Sequence, residues 1–169
     1  MIGEMEEEQP LPSGYRYIFG LNTLDTLNDL PGALVHIRNA LDPGGLFIAQ
    51  CMGAGTLPAL RKIMLAADGE RPHARIHPQI DRPAASGLMS RAGFAKQVVD
   101  SHTLTVRYRE FDTLIADLRD QGLASVLADA PPPITRGGLD RIGAAYDALR
   151  EDDGKVSETF EILTLTGWR

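Results

Sequence analysis

Apolar positions along this chain switch between two periods. Residues 15–21 (YRYIFGL) crowd aromatic and branched side chains between Ser13-Gly14 and a polar stretch, which predicts a buried strand. Leu30, Leu34, Ile37 and Leu41 then recur at helical spacing, widened by Ala33 and Val35, and predict a helix over 29–41. Asn28 or Asp29 can cap it, and Pro31 suits its first turn. Asp42-Pro43-Gly44-Gly45 should end it, since proline cannot continue a helix and glycine permits a tight turn. Residues 46–52 (LFIAQCM) form a nearly continuous apolar run, as in a strand covered on both faces. Strand, helix and strand in succession imply a right-handed crossover and a parallel pair.

The second half follows the same alternation. A helix is predicted near 56–67, with Thr56 as cap and Pro58 in its first turn, then a loop over 69–80. A short helix over 81–92 carries Leu88 and Met89 and stops at Ala92-Gly93. Residues 94–108 read as a long strand, bent around Asp100-Ser101. There Leu104, Val106 and Tyr108 alternate with Thr103, Thr105 and Arg107, leaving one face exposed. Helices over 110–127 and 139–150 flank a proline loop at Ala130-Pro131-Pro132-Pro133. A last strand over 158–168 offers Phe160, Ile162, Leu165 and Trp168 as buried anchors, with Leu163 on the other face. The order of elements is that of an α/β domain.

At 169 residues the chain can bury a real core, and residues 15–169 read as one domain behind an acidic, flexible start over 1–14. Glu4, Glu6, Glu7 and Glu8 fall in that start, and the net charge of -6 argues against a nucleic-acid partner. The single cysteine, Cys51, suits a reducing compartment. No apolar run approaches the roughly 20 residues of a membrane span. The acidic start lacks the basic region of a signal peptide, so the cytoplasm is the expected location.

Candidate chemistry is sparse. His73 and His77 are four apart, but Pro72 and Pro78 flank them and no third ligand follows, so no metal site is expected. His36 reads as a boundary residue of its helix, and His102 has no partner for a general-base role. Cys51 reads as a structural thiol in a buried strand, and the serines near Ser86 lack a nucleophile-elbow context. No catalytic residue is assigned. Gly53-Ala54-Gly55 is a G-x-G after a strand, but it lacks the third small residue and the acidic residue about 20 positions on, and reads as a tight turn.

A resemblance enters through five words in order: Asn28-Asp29-Leu30-Pro31-Gly32-Ala33-Leu34, Leu41-Asp42-Pro43-Gly44-Gly45-Leu46-Phe47, Arg91-Ala92-Gly93-Phe94, Leu104-Thr105-Val106-Arg107-Tyr108, and Thr159-Phe160-Glu161-Ile162 leading to Thr166-Gly167-Trp168. Together they resemble an S-adenosylmethionine-dependent methyltransferase-like family of alphaproteobacteria and mitochondria. Its mitochondrial branch is similar to a complex I assembly factor that hydroxylates protein arginine. The wider group includes the malonyl-carrier-protein methyltransferases.

The resemblance implies the C-terminal portion of a Rossmann-like methyltransferase fold. Its mixed sheet should hold the fourth, fifth, seventh and sixth strands of the full fold in the order 15–21, 46–52, 158–168, 94–108. The third of these should run antiparallel to the first two. The helices near 110–127 and 139–150 would lie where the family carries an insertion over the substrate side. The glycine-rich turn that grips the cofactor would precede Tyr15, where 14 residues cannot hold a strand–helix–strand unit of at least about 30. The reading is therefore of an N-terminally truncated member with no cofactor of its own, S-adenosylmethionine being the family's. Leu21, Asn22 and Asp25 would be vestigial cofactor-facing positions, at the strand ends where open α/β sheets place ligands. Asp25 and Thr26 stand where the family often has a His-Trp pair.

Two functions follow. One is an interaction or assembly protein, inactive alone. The other is a methyltransferase or related hydroxylase whose N-terminal half comes from another chain or from upstream coding sequence. Strand 15–21 would be left as an edge without a neighbour, which predicts a homodimer through that edge or the sheet face beside it, the alternative cover being residues 1–14 folded back across the edge, a poor strand with its glutamates and two prolines.

Overall fold

The computed structural model describes residues 11–124 and 127–169, so most of the acidic start lies outside the described residues. Its elements run β1 (Tyr15–Leu21), α1 (Leu30–Ala40), β2 (Leu41–Met52), α2 (Pro58–Asp68), α3 (Arg82–Ala92), β3 (Ala95–Tyr108), α4 (Phe111–Asp120), α5 (Arg136–Asp147) and β4 (Val156–Trp168). The strands form one mixed sheet in the order β1-β2-β4-β3. β1 pairs parallel to β2 and β4 pairs antiparallel to β2, the topology expected from the sequence. Two compact units divide the chain. The first holds the described residues up to Ala54 with Gln79–His102 and Glu161–Arg169; the second holds Gly55–Pro78 and Thr103–Phe160.

In the first unit, Leu34, Leu41, Phe47, Met89, Leu163 and Leu165 are fully buried, and Phe47 stacks on Phe94 at 5.4 Å between ring centroids. Of the two possible caps of α1 it is Asp29 that serves, accepting from the Gly32 amide at 2.9 Å. Asp81 caps α3 in the same way through the Ala84 amide, and Gly93 at φ 87° closes it. The helix stops at Ala40, but Asp42-Pro43-Gly44-Gly45 is not a free turn. Leu41 is already extended, and β2 starts there. Tyr15 pairs with Leu41 and Tyr17 with Leu46, so the ladder breaks register across these residues. Gly44, at φ 77°, supplies the left-handed backbone the irregularity needs. The Arg169 guanidinium closes this end by donating to the Asn39 carbonyl at 2.9 Å and to the Leu41 carbonyl.

β1 departs from the buried strand its composition suggested. It ends the sheet order, so β2 is its one strand neighbour among the described residues, and Tyr17, Phe19 and Leu21 are 53%, 66% and 67% exposed. Gly20 is its one buried residue, and Ile18 is half-buried against the core.

The second unit is built on α2 against α5, with Ala59, Ile63, Ala67, Ile142, Tyr146 and Val156 as its core. The Tyr146 hydroxyl donates to the Tyr108 carbonyl at 3.0 Å, and Phe111 meets the Tyr146 ring edge-on. The cap position of α2 falls one residue after the expected Thr56. The residue before α2 is Leu57, at φ 60°, with no side-chain cap. The buried Glu158 carboxylate of β4 accepts instead from the amides of Ala59 at 3.2 Å, Leu60 at 2.8 Å and Thr159 at 2.9 Å. At the other end of α2, Arg141 donates to the carbonyls of Ala66 and Ala67 at 2.8 and 2.5 Å.

Three further expectations shift. α4 stops at Asp120 and not near 127, because Gly122 at φ 71° turns the chain and lets the Leu123 amide bond back to the Leu118 carbonyl. Residues 125–126 of the predicted helix lie outside the described residues. α5 begins at Arg136, three residues early, since Thr135 accepts from the Gly138 amide at 3.1 Å and so caps a turn that its two glycines had disguised. In the strands, Leu104 and Val106 are exposed together with Thr103, Thr105 and Arg107, so of that run only Tyr108 is buried; β3 ends the sheet order on its other side. Along β4, Phe160 and Leu165 are buried as expected, whereas Ile162 and Trp168 are half-buried and Leu163 is fully buried. The alternation changes phase at Glu161 and Ile162, where the strand passes from the second unit into the first.

Candidate functional site

The first unit places its polar groups at the carboxyl ends of β1 and β2, the side of an open parallel sheet where ligands bind. β1 ends at Leu21, whose side chain is exposed, and Asn22 follows in the left-handed region at φ 53°. Asparagine is among the few residues that tolerate this conformation, which turns the chain away from the strand. Thr23 leads into a single 3-10 turn, Leu24–Thr26, anchored by buried Leu24. That turn carries Asp25 to the neighbouring strand, where its carboxylate accepts from the Met52 amide in a short hydrogen bond.

Beyond Met52, the Gly53 amide donates to the Glu161 carbonyl at 2.8 Å and the Ala54 amide to the Ile80 carbonyl at 2.9 Å. A Cβ at Gly53 would lie 2.5 Å from Glu161 Oε2, so only glycine lets the Glu161 carboxylate close over the end of β2. Two carboxylates, Asp25 and Glu161, thus border the Met52–Gly53 peptide. Such a rim favours hydroxyl, amide and cationic groups and repels anions.

Of the sequence candidates, Asn22 and Asp25 sit at this rim, Asp25 holding the end of β2 and Asn22 shaping the loop. Leu21 presents its side chain outward on the strand. Glu161 was not visible as a site residue in the sequence. Its signal is the antiparallel register, because Met52 pairs with Ile162 and so brings Glu161 opposite Gly53. Cys51 is buried, and burial together with the Asp25 charge pushes its thiol up to about 12. It therefore stays protonated near neutral pH. Among the described residues no group of three or more His, Cys, Asp or Glu could hold a metal ion, and no helix is long and apolar enough to cross a membrane. His77 bonds at Nδ1 to the carbonyl of Pro78, and the His73 amide donates to Asp68.

No family model matches the chain. Over 89% of its length it is 32% identical to malonyl-[acyl-carrier protein] O-methyltransferase of Xylella fastidiosa, covering 50% of that protein. Over 99% of its length it is 32% identical to human mitochondrial arginine-hydroxylase NDUFAF5, covering 51% of it. These homologues, at about 30% identity, are named for a methyltransferase and an arginine-hydroxylase. It spans about half the length of the curated relatives it matches. The fold agrees: the YcgJ protein of Bacillus subtilis superposes with a TM-score of 0.61 over 96% of this chain and 68% of its own, at 12% identity. Within such Rossmann-like folds the observed sheet corresponds to the 4-5-7-6 portion expected from the five sequence words.

Proposed function

We propose that this methyltransferase-like chain acts as an interaction or assembly protein, without methyltransferase activity of its own, and pairs with a second copy through β1. β1 carries the proposal: three large apolar side chains, Tyr17, Phe19 and Leu21, stand exposed on the end strand of the sheet. Natural edges are usually protected by proline, lysine or a bulge, and residues 15–21 contain no proline or lysine and one charge, Arg16. Exposed apolar rows of this kind mark interfaces, and a two-fold axis lets one strand complete itself with its own copy.

The cofactor side supports the same reading. The G-x-G that follows β2 spends its first two amides on the Glu161 and Ile80 carbonyls, so they are not offered to a phosphate or a carboxylate. The chain contains no glycine-rich turn with a following ribose-binding acid, so its residues do not fit a grip for S-adenosylmethionine. Leu21, Asn22 and Asp25 are then a vestigial wall of that crevice. The single cysteine suits a reducing, cytoplasmic setting.

A second reading rests on the relatives, whose names carry methyltransferase and hydroxylase activities on chains about twice the matched length. There, further sequence or another polypeptide supplies the cofactor half, and this chain contributes the substrate side. Calorimetric titration of the purified chain with S-adenosylmethionine separates the two. No binding heat is expected. A micromolar dissociation constant for the chain alone contradicts the proposal, and binding that appears only with a second polypeptide supports the other reading.

A further inference from the structure

The second unit contains a cavity of about 390 Å³. Its walls are Leu60 and Met64 of α2 with Ile115 and Leu118 of α4, and Arg75 and His77 are its charged or titratable lining. Packed cores leave few voids larger than a water molecule, and apolar cavities stay dry and take apolar guests. Roughly 150 Å³ of such space holds a benzene, so this one has room for an alkyl chain of about ten carbons.

The polar lining decides the head group. Arg75 already has an anionic partner: its Nε and Nη2 donate to Asp68 at 2.9 and 2.6 Å, and Nη2 also reaches the Pro132 carbonyl at 3.0 Å. The hydrogen bond from Arg75 holds the Asp68 carboxyl below its ordinary range, so the pair stays ionised and its net charge is zero. His77 commits Nδ1 to the Pro78 carbonyl at 2.9 Å, which can only accept. In the neutral ring this makes the Nδ1–H tautomer, whose Nε2 is an acceptor. We propose that this cavity binds a neutral, linear aliphatic molecule ending in a hydrogen-bond donor, such as a medium-chain alcohol. The site lies wholly within the second unit and does not rest on the role assigned to β1.

The test uses the full chain and the neutral fluorescent probe N-phenyl-1-naphthylamine. A saturable, one-to-one signal is expected, displaced by decanol at least tenfold more effectively than by decanoate. Ile115→Trp and Ala130→Trp, two lining positions outside the tightest core, should each weaken probe binding tenfold or more with an unchanged far-ultraviolet circular dichroism spectrum. Phe19→Ser, on the exposed row of β1, should leave it unchanged. No saturable binding to the folded wild type overturns the proposal. So does equal displacement by decanoate, retention of the signal in a folded cavity variant, or its loss in Phe19→Ser.

Discussion

Glu158→Ala is expected to lower the unfolding free energy by about 3 kcal/mol, because buried donors left without a partner cost roughly 1–3 kcal/mol each and part of that is recovered by relaxation. Glu158 is fully buried, and its two oxygens serve the amides of Ala59, Leu60 and Thr159. Two of those amides are the first-turn donors of α2, which has no intrahelical partner for them and no side-chain cap from Leu57. The substitution removes the cap and the acceptor together and leaves the donors in a dry site. Glu158→Gln keeps one carbonyl oxygen and should cost about 1 kcal/mol. Urea denaturation gives the size of the loss. Amide hydrogen exchange gives its location, since protection should fall first at Ala59 and Leu60. A loss below about 0.5 kcal/mol for the alanine variant, the scale of a neutral surface change, would mean that the helix start does not depend on this carboxylate.

Gly167→Val should cost about 2–3 kcal/mol, the upper part of the range for overpacking a filled core. Gly167 lies in β4 opposite Phe47, and a Cβ there would meet Met89 Cε at 2.7 Å and Phe94 at 2.9 and 3.1 Å. The methionine end can swing aside, but the Phe94 ring is stacked on Phe47 and its Cβ is fixed to the backbone. Higher strand propensity of valine returns only a fraction of this. Gly143 is the control. It sits in α5, and a Cβ added there would meet nothing within 4 Å. Gly143→Ala should therefore raise stability by roughly 0.5–1 kcal/mol through helix propensity alone. Thermal and urea midpoints of the two variants should move in opposite directions.

The strand–helix–strand start and the sheet order were legible because long periodic segments carry their own signal, and five short words fixed which α/β topology they belong to. The misreadings share a cause in tertiary context. Residues 15–21 are apolar enough for a central strand, yet burial depends on neighbours that composition does not reveal. Thr56 is a good cap by type, but Glu158 reaches the α2 amides from 98 and 99 positions later in the chain, a pairing no local window contains. Gly137 and Gly138 hid the start of α5 because glycine argues against helix, while the Thr135 cap and the Arg141 bonds to α2 outweigh that cost. Asn22 and Asp25 were placed by position, since strand ends are where α/β sheets bind ligands, and the structure has them beside the ends of β1 and β2. Glu161 comes from the antiparallel strand, and only the register places it beside Gly53.

The position of Ile18 also decides how the association should be probed. It packs against the core, so Ile18→Lys would unfold the first unit as readily as it would separate two copies. Phe19 is exposed, and Phe19→Lys isolates the interface. Sedimentation equilibrium of the wild-type chain at micromolar concentration tests the pairing through β1. A mass near twice 18.4 kDa is expected, falling to that of one chain in Phe19→Lys with the fold retained. A wild-type chain that sediments as a single copy across that range, with Tyr17, Phe19 and Leu21 open to solvent, would contradict it.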